Sequence, residues 1–443
     1  MMPKPNICLL GDVVLDVSRN SEDTKLRLGG IVHAARALWA LGIEYDVAFF
    51  CPNYLDELVS DYLNKHGANN LFKLGSVSGA PYVFLIGEEK ETGDQGYDFL
   101  LRDEIKIDYN DKSISIWNKE SYKNLLAITG NYDLKNILKS SAEAKISIDI
   151  ANNINEINQI PDLSVEFKNL FISTSSTLFN KHYSDDFLDF CNLFQGITDR
   201  VILKENRGGT RGYEFNTKRF FSCGSQTQPI EHSVGVGDVF DATFIAFQYQ
   251  YGLSQTLSIC SWIALEYAST KYVDDFKREA NRIINSDLSN IEQLPSVSLP
   301  WEKRKEHQIY VAAPDFNDVE TNLIDTLCNA LTYHNFTPMR PVKLFGEMEI
   351  DASKERKKEL YNKDVALLQN CSLIIAVLLF NDPGTLIEIG IGSGQGIPTI
   401  VWDPYNIANN CMISGTPDLL TSDLDHVISE TFNQLAKMEN LNE

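Results

Sequence analysis

Two short stretches of this chain combine carboxylates with glycine in a way that can do chemistry. In the first, Val234-Gly235-Val236-Gly237-Asp238, two glycines precede an aspartate where a helix is expected to begin. Glycine lets backbone N–H groups approach an anion, and a helix start offers unpaired N–H groups and the positive end of its dipole. A carboxylate beside that anion can take the proton of an attacking hydroxyl, which is the chemistry of phosphoryl transfer. The same stretch also reads as a glycine turn with Asp238 as a helix cap. In the second, Asn381-Asp382-Pro383-Gly384-Thr385-Leu386-Ile387-Glu388 follows an apolar run and opens another helix. Asp382 and Glu388 then stand past the C-terminal end of a strand, where open parallel sheets bind ligands. In a first helical turn the dipole favours an ionised Glu388, which can attack an anomeric carbon and hold a covalent glycosyl intermediate. Asp382 can bind sugar hydroxyls or assist proton transfer. Thr385-x-x-Glu388 is equally the spacing of a capping box, and Gly390, Gly392, Gly394 and Gly396 equally let a helix lie close to a sheet.

Both stretches need strands and helices to hold them. Strands are expected at Ile7–Leu10, Leu125–Thr129, Lys145–Ile150, Leu170–Ser173 and Arg200–Lys204, and helices at about Gly30–Leu41 and Leu55–His66. Residues 81–118 alternate between turn signals and read as short antiparallel strands. A helical block covers Gly237 to about Asn285. Leu294-Pro-Ser-Val-Ser-Leu-Pro300 and the charged run Glu302–His307 then read as a linker. After it the alternation restarts: strand Gln308–Ala312, helix Val319–Tyr333, helix Lys354–Gln369, strand Ser372–Leu379, a helix from Thr385, strand Thr399–Trp402 and helix Asp423–Lys437. Alternating strands and helices imply α/β units with mostly parallel sheets. The expected domains are 1–296 and 308–443, joined by a linker at 297–307.

Composition narrows the partners. The chain has 443 residues, 43% of them hydrophobic, and a net charge of -22. That core fraction excludes a disordered chain, and that charge disfavours nucleic acid and anionic lipid. No apolar run reaches the roughly 20 residues a membrane helix needs, and no signal-peptide pattern opens the chain. The eight cysteines form no C-x-x-C pair; Cys8, Cys260 and Cys371 lie in apolar runs and are expected to be buried. A reducing, cytoplasmic setting is expected.

Further residues carry two resemblances. Val234–Asp241 resembles the G-A-G-D signature of the PfkB, or ribokinase-like, sugar and nucleoside kinases. Gly11-Asp12-Val13-Val14-Leu15-Asp16 looks like that family's first strand and substrate-binding aspartate. Leu28-Gly29-Gly30 looks like its double-glycine segment, and Val201–Lys204 with Gly208-Gly209 like the strand and turn beside the nucleotide. The resemblance covers roughly residues 5–295 and implies a three-layer α/β/α domain with a small β lid. It implies Asp238 as base, Gly235, Val236 and Gly237 as the anion hole, Lys204 and Gly209 at the nucleotide, and Asp16, Gly29, Gly30 and His33 at the substrate. ATP with Mg2+ would be the donor. The chain differs from the family at His232-Ser233-Val234, at His33 where an Asn is usual, and at residues 173–180, which lack N-x-x-E.

The C-terminal part is similar to the nucleoside 2-deoxyribosyltransferases. Ile309-Tyr310-Val311-Ala312-Ala313-Pro314 looks like their opening strand, Asp382-Pro-Gly-Thr-x-x-Glu388-Ile-Gly like their most specific motif, and Asn410-Cys-Met412 like a loop that can reach a neighbouring subunit. The likeness covers about residues 307–438 and implies a flavodoxin-like doubly wound sheet that needs no cofactor. It implies Glu388 as nucleophile, Tyr310 orienting it, Asp382 on the sugar hydroxyls, Asp364 in a polar helix position, and Asn410 and Met412 lining the sugar pocket. Ser372 stands where an Asp is usual, a residue expected to protonate or bind the leaving base. A related branch that hydrolyses nucleoside monophosphates carries Ser in place of Asp382; a carboxylate repels a 5′-phosphate, so a nucleoside substrate is favoured.

Together these imply a bifunctional, homo-oligomeric enzyme of nucleoside salvage acting on small molecules. A second reading keeps only the C-terminal site active, as transferase or hydrolase, with the N-terminal unit a ligand-binding or oligomerisation module.

Overall fold

The computed structural model describes residues 7–19, 26–79, 81–94, 96, 98–100, 104–138, 144–150, 153–160, 165–349 and 351–442. The chain divides into two compact units: Met1–Lys90, Gln95–Gln226 and Ile230–Ser296 form one, and Glu91–Asp94, Thr227–Pro229 and Val297–Glu443 the other.

The first unit is built on a ten-stranded sheet. Its order is Arg219–Cys223, Thr210–Glu214, Thr198–Lys204, Phe167–Ser173, Lys145–Asp149, Asn124–Ile128, Ile7–Asp12, Tyr45–Cys51, Ala68–Ser78 and Lys106–Tyr109. The seven central strands run parallel, and antiparallel strands close both edges. Tyr45–Cys51 is buried along its whole length, as a central strand covered on both faces must be. Ile7 and Leu9 pack with helices Ile31–Ala40, Val236–Phe247, Leu253–Ala268 and Val273–Ile284, while Cys8 faces the Trp117 indole on the other side. Helices therefore cover both faces. The strand order reverses at Ile7–Asp12, which has Tyr45–Cys51 on one side and Asn124–Ile128 on the other.

A four-stranded lid sheet joins Leu26–Leu28, Leu15–Ser18, Val83–Ile86 and Asp98–Phe99. The expectation of short antiparallel strands over 81–118 is met by Asp98–Phe99 and Lys106–Tyr109, but Val83–Ile86 also pairs parallel with Leu15–Ser18, residues 95, 97 and 101–103 lie outside the described residues, and past Tyr109 the expectation fails. Asp111–Trp117 is a helix, because Asn110 caps it by accepting from the Ser113 N–H at 3.1 Å and Trp117 is buried under it.

The second unit is a five-stranded, all-parallel sheet in the order Thr337–Met339, Gln308–Ala312, Leu373–Val377, Thr399–Trp402, Leu419–Thr421. This is the 2-1-3-4-5 order of flavodoxin-like sheets. Side chains alternate along each strand. Ile309, Val311, Leu373 and Ile375 meet helices Asn322–Tyr333 and Leu424–Asn442. Tyr310, Ala312, Ile374 and Ala376 meet helices Lys354–Asn370 and Pro383–Gly394.

The stretch read as a linker is packed. Val297 and Leu299 are buried in the second unit's core, and Arg304, fully buried in helix Trp301–Arg304, donates from Nε to the Leu299 carbonyl at 3.0 Å. All eight cysteines are free thiols; six are buried, Cys223 is half-buried and Cys411 is exposed. No described helix is long and apolar enough to cross a membrane.

Candidate active sites

In the second unit the helix after Leu373–Val377 begins at Pro383, not Thr385. Asp382 is its N-cap: its Oδ2 accepts from the Thr385 N–H at 2.7 Å and the Thr385 hydroxyl at 2.9 Å, and Pro383 needs no donor partner in the first turn. The Thr385–Glu388 capping box is therefore not formed. Glu388 falls in the second turn, beyond the strongest pull of the dipole. Its Oε1 instead accepts from the buried Tyr310 hydroxyl at 2.6 Å. Burial pushes the Glu388 carboxyl up to about 7; the Tyr310 bond works against that rise, and the nearby charges of Asp364 and Asp382 add to it. Tyr310 is pushed far above its ordinary value by burial and by Glu388, so it stays a neutral donor. Asp364, on helix Lys354–Asn370, is raised by burial and acts on both groups.

Tyr310 comes from one strand flanking the switch point of this sheet, and Asp382 and Glu388 follow the other, where ligands bind in such folds. Asn410 and Met412 stand differently. Asn410 caps helix Cys411–Gly415 by accepting from the Met412 N–H at 2.8 Å, and the Met412 side chain is 70% exposed. Neither residue hydrogen-bonds the Tyr310–Glu388 pair. Their loop is tied down by Asp403, whose two oxygens accept from the Ile407 and Ala408 N–H groups at 2.9 and 2.8 Å.

Ser372 needs correction. It precedes strand Leu373–Val377 and touches His307 Nδ1 at 3.3 Å, at the sheet's N-terminal edge. Five strand residues, about 16 Å, separate it from the edge that carries Asp382. An aspartate there could not reach a leaving base, so the Ser372 departure costs this site nothing.

In the first unit Gly235 is the N-cap of helix Val236–Phe247 in a left-handed conformation, φ 78°, and a side chain on it would run into the His33 ring. Asp238 is the third helical residue rather than the cap. Burial pushes its carboxyl up to about 8, with Asp149 and Asp16 adding and Lys204 opposing. Lys204 ends its strand with Nζ 2.8 Å from Asp149 and 2.8–3.0 Å from both oxygens of Asp241. Its Nζ lies 3.3 Å from where a Gly237 side chain would start, so the ammonium faces the first turn of the Asp238 helix.

Asp16 is buried beside this group. Its Oδ2 is 3.1 Å from His33 Nε2 and 3.7 Å from Arg27 Nε, and Gly29 packs so closely on the carboxylate that any side chain there would collide with it. His33 Nδ1 lies 3.0 Å from Arg36 Nη1, which can only donate, so Nδ1 accepts and Nε2–H donates to Asp16. Burial lowers His33 to about 4, which keeps it neutral. Gly30, φ 63°, presses on the Asp12 carbonyl. Gly209 closes the turn after Lys204 against Cys223 and Gly224 rather than against the Asp238 helix. Val236 is half-buried in the helix's first turn.

The sequence reading missed Asp149, Asp241 and Arg27. The two carboxylates lie 55 and 37 positions from the lysine they hold, and no local pattern links them. The glycine turn and helix start fit a phosphate of a nucleotide. The carboxylates do not fit Mg2+ as they stand, because Lys204 occupies Asp149 and Asp241, and among the described residues no three His, Cys, Asp or Glu side chains converge as a metal site.

Residues 309–423 match the family model described as nucleoside 2-deoxyribosyltransferase, so the chain carries such a domain at its C-terminal end. The N-terminal region matches structures of PfkB/ribokinase-family kinases. A phosphofructokinase-2 mutant from Escherichia coli matches with 13% identity over 63% of this chain and 99% of its own, at TM-score 0.48. Arabidopsis thaliana ribokinase with ribose and ATP matches with 10% identity over 64% and 99%, at 0.47. An uncharacterized sugar kinase from Pyrococcus horikoshii matches with 14% identity over 65% and 99%, at 0.47. No curated protein matches the chain.

Proposed function

We propose that this chain is a two-site enzyme of nucleoside metabolism, with glycosyl transfer in the second unit and phosphoryl transfer in the first. The observation that carries the first half is the 2.6 Å bond from buried Tyr310 to Glu388. Ionised Glu388 attacks C1′ of a 2′-deoxynucleoside. The C1′–N bond breaks, the base leaves with that electron pair, and a deoxyribosyl–Glu388 ester remains. Asp364, close enough for its charge to act on Glu388, is the group placed to relay a proton from water to the departing base nitrogen. An acceptor base then attacks C1′, releases Glu388 and returns a proton through Asp364; water in its place gives free deoxyribose. Asp382 keeps the helix start rigid through Oδ2, which leaves Oδ1 for a sugar hydroxyl. The exposed Asn410–Met412 segment suits a homo-oligomer in which it completes a neighbour's pocket.

In the first unit, Asp238 takes the proton of a sugar or nucleoside hydroxyl, Asp16 and His33 hold that substrate, and Gly235 to Gly237 with Lys204 receive the phosphate. ATP supplies the phosphoryl group. A second reading has two observations in its favour: Lys204 is tied to two carboxylates and Asp16 is buried beneath His33, as in a module that binds without turnover.

The deciding experiment is a chromatographic product assay with a deoxynucleoside and a free acceptor base, without ATP. A new nucleoside should form, and Glu388→Ala should cut its rate at least a thousandfold. Free base and sugar alone would mean hydrolysis, and no turnover would remove the glycosyl-transfer reading. Mg-ATP consumption with a sugar and nucleoside panel, lost in Asp238→Asn, separates a kinase from a binding module.

A further inference from the structure

Strand Ile7–Asp12 ends at the switch point of the large sheet, and Asp12 is its last residue. Crevices outside the C-terminal strand ends at such points bind ligands. Its carboxylate is built into a polar group: Oδ2 accepts from the Tyr82 hydroxyl and, at 3.0 Å, from the Asn131 N–H, just past the neighbouring strand Asn124–Ile128. Asn131 Nδ2 lies 3.1 Å from the Tyr82 hydroxyl, and Asn153 Nδ2 lies 3.3 Å from Asn131 Oδ1. Gly130 packs so closely that any side chain there would overlap the Asp12 carboxylate.

Two further observations do not suit a purely structural role. Asp12 Oδ1 is shielded from solvent and has no hydrogen-bond partner among the described residues. A buried, unsatisfied carboxylate oxygen is costly, and natural folds rarely keep one without a use. In addition, Tyr82 and Asn153 both have positive φ, 61° and 60°, and such strain collects at ligand sites. The Asp12 carbonyl touches Gly30, so this group adjoins the Asp16 segment.

We propose that Asp12, with Tyr82 and Asn131, is a recognition point of the first unit for a neutral small molecule, a sugar or nucleoside, that offers an O–H or N–H donor to Oδ1. The assignment rests on reading that unit as one that handles a sugar or nucleoside. An unpaired carboxylate oxygen welcomes a donor and repels a phosphate. Burial lifts Asp12 to about 6, so the acceptor form gains as pH rises through that value. The groups around it, Tyr82, Tyr109, Tyr132 and Cys51, are all raised and stay neutral there.

The test is calorimetric titration of the full chain with D-ribose, 2-deoxy-D-ribose, adenosine and ribose 5-phosphate, for wild type and Asp12→Asn. A neutral probe should bind, should lose at least tenfold in affinity in Asp12→Asn, and should exceed ribose 5-phosphate. Its wild-type affinity should rise through pH 6 and that of the variant should not. Ribose against adenosine tells sugar from nucleoside. Tyr82→Phe, which keeps the fold contacts of the ring, should also lower the affinity, and both variants should keep the thermal transition of the first unit as a check on folding. No binding by the wild type, equal binding of ribose 5-phosphate, or an unchanged affinity and pH profile in Asp12→Asn would overturn the assignment. Binding that depends on Asp12 without ATP turnover would sink the kinase reading alone, and phosphorylation indifferent to Asp12 would sink this assignment alone.

Discussion

At the scale of single residues, the glycosyl transfer proposed for the second unit depends on how Glu388 is ionised. Burial, with a smaller push from Asp364, lifts its carboxyl to about 7 against the pull of Tyr310. A nucleophile must be ionised, so kcat/KM for a deoxynucleoside should climb as pH rises through about 7. Tyr310→Phe removes the downward pull, and the acid limb should move to higher pH with kcat/KM at pH 7 down about 10- to 100-fold. Asp364→Asn removes an upward push, and the limb should move to lower pH even as the rate falls. A pH-rate profile of each variant checks both signs; shifts in the same direction would contradict the arrangement. Glu388 and Asp382 were legible in the sequence because their motif is local. Position 372 precedes a parallel strand and so lies at the edge away from the ligand, which local sequence alone does not reveal. Asp12, Asp149 and Asp241 take their meaning from partners far along the chain, and spacing does not reveal those.

Among secondary-structure elements, the helix Pro383–Gly394 carries the site and is placed by one glycine. A side chain on Gly392 would overlap Ile374 of the adjacent strand, whereas Gly390 and Gly394 face open space. Gly392→Ala should therefore destabilise the second unit by about 1–3 kcal/mol and weaken transfer by moving Glu388 off Tyr310. Gly390→Ala should instead stabilise it by about 0.5–1 kcal/mol with activity kept. Thermal melts and the product assay on both variants decide this, and equal losses would show that the helix is not seated through Gly392. The sequence marked these glycines as a group and could not say which one touches the sheet. Most strands and helices were legible from periodicity. The exceptions have physical causes: Ile-Ser-Ile-Trp at 114–117 alternates like a strand but is held helical by its cap, and prolines near Val297 and Leu299 hid two buried side chains.

For the whole molecule, each unit has its own hydrophobic core. Domains with separate cores commonly unfold as separate cooperative units, so calorimetry should show two transitions. A deoxynucleoside at 100 times its Kd adds about 2.7 kcal/mol to the unit that binds it and should raise one transition by several degrees while the other stays put. In Asp12→Asn that glycosyl-transfer transition should be unmoved. A single transition, or a shift of both, would mean that the units unfold together.

The free thiols have a practical consequence. Burial pushes Cys8 and Cys51 up to about 12 and Cys328 and Cys371 to about 11, which leaves them poor nucleophiles, whereas Cys411 is open to water between Asn410 and Met412. A maleimide dye added to the native chain would attach there first, with no cysteine removed beforehand. Its emission would then follow that loop in real time as a nucleoside arrives.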